Sequence, residues 1–333
     1  MDEMIFELED EKEDFALLPL KDKIERSKEI IKLASRMSWE FYKEPMIVCY
    51  SGGKDSDVLL HLCEQTLPLS KFEVQNSHTT VDAPETVYHI REVIDRINRG
   101  GGMAKVHYPR DKEGNFISMW SLIPKKMIPP TRIRRYCCSV LKEASTPNRM
   151  AVVGVRAAES TGRKNRDVFS TKGRSLREAK FFSLSHTSEV FRESLEANDD
   201  VWDCTLIKSM KEHNDTIVNP IYDWTDSDIW EYIRQNGIKV NPLYAKGYKR
   251  VGCIGCPLAS YSEKLKEFSD YPAYEQNYKK AFDRMLKERK RRGKDYGRGK
   301  WTDAQGVFDW WIGKHSHEVK GQMNIFDYLK EDT

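Results

Sequence analysis

Six residues, Ser51-Gly52-Gly53-Lys54-Asp55-Ser56, follow a short apolar run, Met46–Tyr50. They lead into Asp55–Thr66, where Val58, Leu59, Leu62 and Cys63 recur at helical spacing. A run of that length and composition reads as a buried strand. The chain is therefore expected to leave a strand, turn on glycines and enter a helix. Glycine carries no Cβ, so the backbone can approach an anion closely. The helix that follows offers free amides and the positive end of its dipole. Ser51 and Ser56 add hydroxyl donors, and Lys54 adds charge. In open α/β sheets such a loop falls at the carboxyl end of a strand, where ligands bind. The spacing is not G-x-x-x-x-G-K-[ST], so this is no Walker A loop. An ordinary strand-to-helix turn would need only the glycines. The whole hexapeptide in this setting points to a loop for phosphate or sulfate.

The rest of the chain repeats the alternation. Residues 22–43 have a helical apolar pattern through Ile24, Ile30, Ile31, Leu33, Ala34 and Met37, closed by Pro45. Phe72–Asn76 reads as a second strand. Asp82 and Pro84 open a helix carrying Val87, Ile90, Ile94 and Ile97, ended at Gly100–Gly102. Lys105–Tyr108 and Ala151–Val155 read as further strands. Thr225–Asp228 resembles a capping box for a helix to Gln235, with Asn236-Gly237 as its stop. Residues 272–292 read as a charged helix. The expected fold is α/β: a Rossmann-like parallel sheet with helices on both faces, followed by a mostly helical, basic C-terminal extension.

Charge narrows the partners. Hydrophobic residues make up 39% and charged residues 32% of the 333. No apolar run reaches the ~18–20 residues that span a bilayer. Residues 1–14 hold eight acids against one base and no signal-peptide pattern, so a cytoplasmic protein is expected, without a membrane partner. Residues 156–180 hold eight bases against three acids, and residues 279–300 eleven against three. Such runs suit a polyanionic partner or a solvated helix face. Tyr296 and Trp301 beside the second run could stack on DNA or RNA bases. The Trp301–Trp311 stretch otherwise reads as core packing.

The seven cysteines are unevenly spaced, which argues against a disulfide framework in a cytoplasmic chain. Cys49 and Cys63 lie among apolar residues and read as packing. Cys137 and Cys138 are adjacent, Cys204 stands alone, and Cys253-Ile254-Gly255-Cys256 is a C-x-x-C. A C-x-x-C lets two thiolates converge on zinc or on an iron–sulfur cluster.

The hexapeptide resembles the PP-loop of the adenine nucleotide α-hydrolase-like superfamily. Further segments resemble the phosphoadenosine phosphosulfate (PAPS) reductase family. They are His78 to Thr86 with Asp82, Pro84 and Glu85; Arg135-Tyr136-Cys137-Cys138 with Leu141-Lys142; and Gly154-Val155-Arg156 with Glu159-Ser160 and Arg163. Asn219-Pro220-Ile221 through Trp224, Ile229-Trp230 and Asn241-Pro242-Leu243-Tyr244 complete the pattern. The resemblance covers about residues 45–260. It divides the chain into an N-terminal helical segment (1–44), a PP-loop domain (45–260), a basic helical extension (261–320) and a flexible tail (321–333).

The resemblance implies that Ser51, Gly52, Gly53, Lys54, Asp55 and Ser56 hold the terminal phosphates or sulfate of ATP or of a sulfonucleotide, with Mg2+. Asp82 would place the ribose or a metal ion. Gly154 belongs to the same site, and Arg156 and Arg163 would offer donor forks to anionic oxygens. Lys54, Asp55 and Arg156 are the expected catalytic residues. A tandem cysteine pair with a later C-x-x-C is similar to the four-iron (4Fe-4S) ligand set of adenylylsulfate reductases: Cys137, Cys138, Cys253 and Cys256. Cys204 is an alternative fourth ligand, and zinc an alternative metal.

Sulfonucleotide reductases also use a cysteine on a C-terminal tail, and residues 257–333 carry none. The expected chemistry is therefore adenylation of an acceptor with pyrophosphate release, followed by sulfur transfer from a donor. The nucleotidyl subunit of DNA phosphorothioation systems and the tRNA thiolases work on this plan. One alternative is a PAPS or adenylylsulfate (APS) reductase that borrows its thiol from a partner protein. Another is a non-catalytic nucleotide sensor. Gln322–Phe326 resembles a peptide that docks on the DNA sliding clamp; the alternative is a terminal turn packed through Ile325, Phe326 and Leu329.

Overall fold

A computed structural model describes residues 15–142, 146, 148–159, 168–171, 216–294 and 301–314. Ser160, Arg163, Cys204, Tyr296 and the Gln322–Phe326 peptide lie outside the described residues. The chain forms two compact units. The first comprises Met1–Asn76, Tyr88–Val106 and Thr146–Val251, and the second Ser77–Val87, His107–Ser145 and Gly252–Thr333.

The first unit is built on a sheet. Its strands are β1 (Met46–Cys49), β2 (Phe72–Ser77), β3 (Met103–His107), β4 (Met150–Val152), β5 (Phe169–Thr171) and β6 (Thr216–Val218). They lie in the order β3-β2-β1-β4-β6-β5. β1 pairs parallel with β2 and with β4, and β4 pairs parallel with β6. β5, on the edge, runs antiparallel to β6. Consecutive residues of β1, β2 and β4 are buried, as expected of strands covered on both faces. The fold is Rossmann-like, as the sequence pattern predicts.

The helices of this unit are α1 (Leu20–Met37), α2 (Lys54–Thr66), α3 (Pro84–Arg99) and, later in the chain, α6 (Asp226–Asn236). α1 is shorter than the apolar pattern suggests. A π-helical turn, Ser38–Tyr42, carries the chain on to Lys43, whose φ of 57° ends the helical run. α6 starts on the predicted capping box, with Thr225 accepting from the Asp228 amide, and ends on Gly237 at φ 59°. Ile31, Ala34, Val58, Leu59, Leu62, Cys63, Ile97 and Ile229 pack with Met46, Val48, Val74, Met150 and Val152 into one core.

The order of strands places the loop. From β1 the chain crosses to β2 on one side, and β4 pairs on the other. The carboxyl end of β1 is therefore a topological switch point, where open α/β sheets bind ligands. β4 stops at Val152, short of the expected Val155, because Gly154 leaves the sheet to pack against the start of α2.

The second unit is helical: α4 (Met119–Lys126), α5 (Tyr136–Leu141), α7 (Tyr261–Asp270), α8 (Pro272–Arg291) and α9 (Ala304–Ile312). Its core is aromatic. The Tyr278 and Trp311 rings lie 4.6 Å apart, Phe268 and Phe308 5.1 Å, and Phe282 and Trp311 5.4 Å. Trp311 also donates from Nε1 to the Pro130 carbonyl at 2.8 Å. Half of the bases at 279–292 are paired with acids of α8. Lys279 pairs with Glu275, Lys287 with Asp283, and Arg291 and Arg292 with Glu288. The two arginines hold the Glu288 carboxyl down at about 2. Arg284 and Arg289 cap the Trp120 and Met127 carbonyls. No helix among the described residues is long and apolar enough to cross a membrane.

Candidate nucleotide site and cysteine neighbourhood

Local chemistry shapes the loop of the first unit. Gly52 sits at φ 74°, a conformation that disfavours any side chain. Gly53 is the residue before α2. The Ser56 hydroxyl donates to the Gly53 carbonyl at 2.8 Å, and the amides of Gly53 and Ser51 point back at it, at 3.2 and 3.3 Å. Ser56 thus closes the loop on itself. Asn241, in the Asn241–Tyr244 segment, donates to the Gly52 carbonyl at 3.0 Å. Amides at a helix start have no intrahelical acceptor. Of those here, the Lys54 amide donates to the Tyr244 hydroxyl at 2.9 Å. Gly154 is packed so closely beneath that a Cβ would meet the Asp55 carbonyl group at 3.1 Å.

Four charges gather at this helix start. Lys54 Nζ lies 2.8 Å from Asp226 and 3.3 Å from Asp55. Arg156 binds Asp55 through Nε at 2.5 Å, Asp226 through Nη2 at 3.1 Å and the Trp224 carbonyl through Nη1 at 3.3 Å. Arg156 is only 2% exposed. The resemblance assigns it to ligand oxygens, but here each of its three nitrogens holds a protein oxygen. Its three contacts brace Asp55, Asp226 and the Trp224 carbonyl. Lys54 and Asp55 pair with each other at the helix start.

Burial alone would raise the Asp226 carboxyl. Hydrogen bonding and charge from Lys54 and Arg156 outweigh it and hold the carboxyl below the ordinary value of 3.8. A carboxyl depressed by folding stabilises at pH above its unfolded value and stops doing so as pH falls through the folded one. The melting-temperature advantage of wild type over Asp226→Asn should therefore be fullest well above the ordinary value of 3.8, fade as pH falls past it, and be lost once pH has fallen through the lower folded value. Thermal melts across pH 2–7 check it. An advantage that survived to the acid end would show that the Asp226 pairings do not carry it.

The second unit brings together the other set of residues. Cys137, Cys138, Cys253 and Cys256 are in no disulfide. Cys137 is raised by its hydrogen bond with Cys138, then by burial, and also feels Cys253. Burial pushes Cys253 up to about 11, and it feels both Lys142 and Cys256. Lys142 is held protonated, chiefly by Cys253 and then by Asp82 and Cys138. Four soft donors with an adjacent ammonium suit a thiolate-bound metal centre. Among the described residues, however, no three His, Cys, Asp or Glu side chains close into a metal-holding group. The structure gathers these thiols into one neighbourhood without converging them as ligands.

Asp82 belongs to this second unit. Its backbone bridges with Cys253, and its carboxylate accepts from the Thr79 hydroxyl at 2.7 Å. Asp226, Asn241 and Tyr244 are the site residues that sequence reasoning missed. Asp226 was visible only as part of a helix start, and the other two only as part of a family signature.

A phosphoadenosine phosphosulfate reductase domain model matches residues 45–259. The uncharacterized protein MJ0973 of Methanocaldococcus jannaschii is 25% identical over 264 residues, covering 76% of this chain and 54% of that protein. This chain thus spans about half the length of that relative. The adenosine 5'-phosphosulfate reductase of Anoxybacillus flavithermus is 21% identical over 242 residues, covering 68% of this chain and 80% of that enzyme. The phosphoadenylyl-sulfate reductase of Candida auris, solved as a phosphate complex, superposes with a TM-score of 0.41 at 14% identity, over 68% of this chain and 87% of that one. With its domain matched across the glycine loop, both cysteine pairs and the Asn241–Tyr244 segment, the chain belongs to the phosphoadenosine phosphosulfate reductase domain family.

Proposed function

We propose that this protein is an adenine-nucleotide-dependent enzyme that activates an acceptor by adenylation, releasing pyrophosphate, within a sulfur-transfer reaction on nucleic acid. The carrying observation is the start of α2, where the glycine loop, Lys54 and Asp55 converge, braced by Arg156 and Asp226. In this reading an acceptor oxygen attacks the α-phosphorus of ATP, and the bond to the departing pyrophosphate breaks. The loop amides and Lys54 hold the charge that gathers on the leaving group. Asp55 orients Lys54 and would be the carboxylate to hold Mg2+, which would offset charge on the phosphates. A sulfur donor then displaces AMP from the activated acceptor.

Cys137, Cys138, Cys253 and Cys256 would hold an iron–sulfur cluster or zinc. A bound cluster would supply electrons or sulfur to the reaction, and zinc would brace the thiols. The second reading, an APS or PAPS reductase served by an external thiol, draws on the relatives named APS reductase.

Protein purified without oxygen should release pyrophosphate from ATP, and DNA or RNA should stimulate it. The same preparation supplied with APS or PAPS and a dithiol should release no sulfite. Sulfite without pyrophosphate would replace the first reading by the second. Neither product with any polymer would remove both.

A further inference from the structure

Beneath the glycine loop lies a buried polar triad that the proposed chemistry does not use. The Tyr50 hydroxyl donates to Asp57 Oδ1 at 2.5 Å. His89 Nε2 lies 3.0 Å from the same oxygen and 2.9 Å from the Tyr50 hydroxyl. Tyr50 is 2% exposed, Asp57 6% and His89 4%. Asp57 Oδ2 is buried and has no hydrogen-bond partner among the described residues.

Stability does not explain such a group. A buried carboxylate with an unsatisfied oxygen costs free energy, and apolar residues of like volume are often neutral or better. Position offers an explanation. Tyr50 is the residue before Ser51, and Asp57 is the residue after Ser56. Their hydrogen bond ties together the two ends of the hexapeptide, and His89 anchors the tie to α3. The Tyr50 backbone is fixed as well, its amide on the Gln75 carbonyl and its carbonyl on the Asn76 side chain, both at 2.9 Å. Burial, and then Asp57, push the phenol far above its ordinary value, so it remains a donor.

We propose that Tyr50, Asp57 and His89 are positioning residues that fix the separation of the two loop ends, and so pre-set the loop amides for an anionic nucleotide tail. The inference rests on the nucleotide reading of the loop. A loop held in its binding geometry spends less binding free energy on ordering. Removing the tie therefore lowers affinity while leaving the sheet intact.

The test titrates wild type, Tyr50→Phe and Asp57→Asn separately with ATP and with adenylylsulfate by calorimetry, alongside thermal melts. Tyr50→Phe removes only an oxygen and should weaken the bound nucleotide roughly tenfold, the loss typical of one hydrogen bond to a charged group. Its melting temperature should stay within about 3 °C. The side-chain amide of the Asp57→Asn variant keeps an oxygen in the same place, so that variant should stay within about threefold of wild type. Equal affinity in wild type and Tyr50→Phe overturns the proposal. So does an equal loss in both variants, or a variant that fails to fold, since the triad would then serve charge or stability. Wild type binding neither nucleotide would remove the loop reading itself, and the unmutated arm alone would reveal it.

Discussion

Replacing Gly255 with alanine is expected to cost the second unit about 2–5 kcal/mol, from a left-handed backbone carrying a side chain and from overpacking. Gly255 sits in the turn between Cys253 and Cys256 at φ 69°. A Cβ there would lie 2.7 Å from Trp311, 2.9 Å from Phe268 and 3.1 Å from Tyr278. These are ring atoms of the aromatic core, not flexible ends, so they cannot step aside. The turn is also held from both sides. The Ile254 amide donates to the Val81 carbonyl at 2.7 Å, and the Tyr278 hydroxyl donates to the Ile254 carbonyl at 2.8 Å. Displacing the turn therefore displaces both cysteines. Near-ultraviolet circular dichroism should lose tryptophan and tyrosine signal at a lower temperature than in wild type. A variant with the wild-type transition would show that the turn can slide away from the rings.

The second large effect is expected at Arg156. Arg156→Met should cost about 3–5 kcal/mol, the penalty of breaking a buried ion pair by removing one partner. Asp55 Oδ1 and the Trp224 carbonyl would lose their donor together. Two carboxylates would then face an incoming phosphate with only Lys54 between them. Nucleotide affinity should fall about 100-fold or more, and melting should drop by roughly 6–20 °C. Arg156→Lys should rescue little, because a single ammonium cannot span the three acceptors that the planar fork reaches. Calorimetry and thermal melts measure both quantities. Unchanged affinity in Arg156→Met would mean that Asp55 and Asp226 are not aimed through this guanidinium.

How much of this is legible in the sequence depends on how local the cause is. The strand, glycine turn and helix over residues 46–66 arise from apolar runs, glycine freedom and helical spacing, all within a few residues of one another. The cap at Thr225 and the stop at Gly237 are equally local. β5 escapes such a reading because its three residues lie in a basic segment and become a strand only through pairing with β6. Asp226 is readable as a first-turn acid of a helix. Its contact with Lys54 joins positions far apart in the chain, and no periodicity encodes that. The basic run at 279–300 is visible as charge, but the pairing on α8 emerges only when helical spacing is laid against Glu275, Asp283 and Glu288. Gly255 looks from the sequence like a spacer between two thiols. Its real constraint comes from three rings on α7, α8 and α9.

Asp226 has a consequence for which molecules the loop retains. In the structure its carboxylate already occupies the Lys54 ammonium at 2.8 Å, in the manner of a tethered decoy. If the loop takes a nucleotide as proposed, the newcomer must outcompete that decoy, which would favour a tail with several negative oxygens over a lone monoester. Under the adenylation proposed above, release of a spent mononucleotide would then be favoured over release of a polyphosphate.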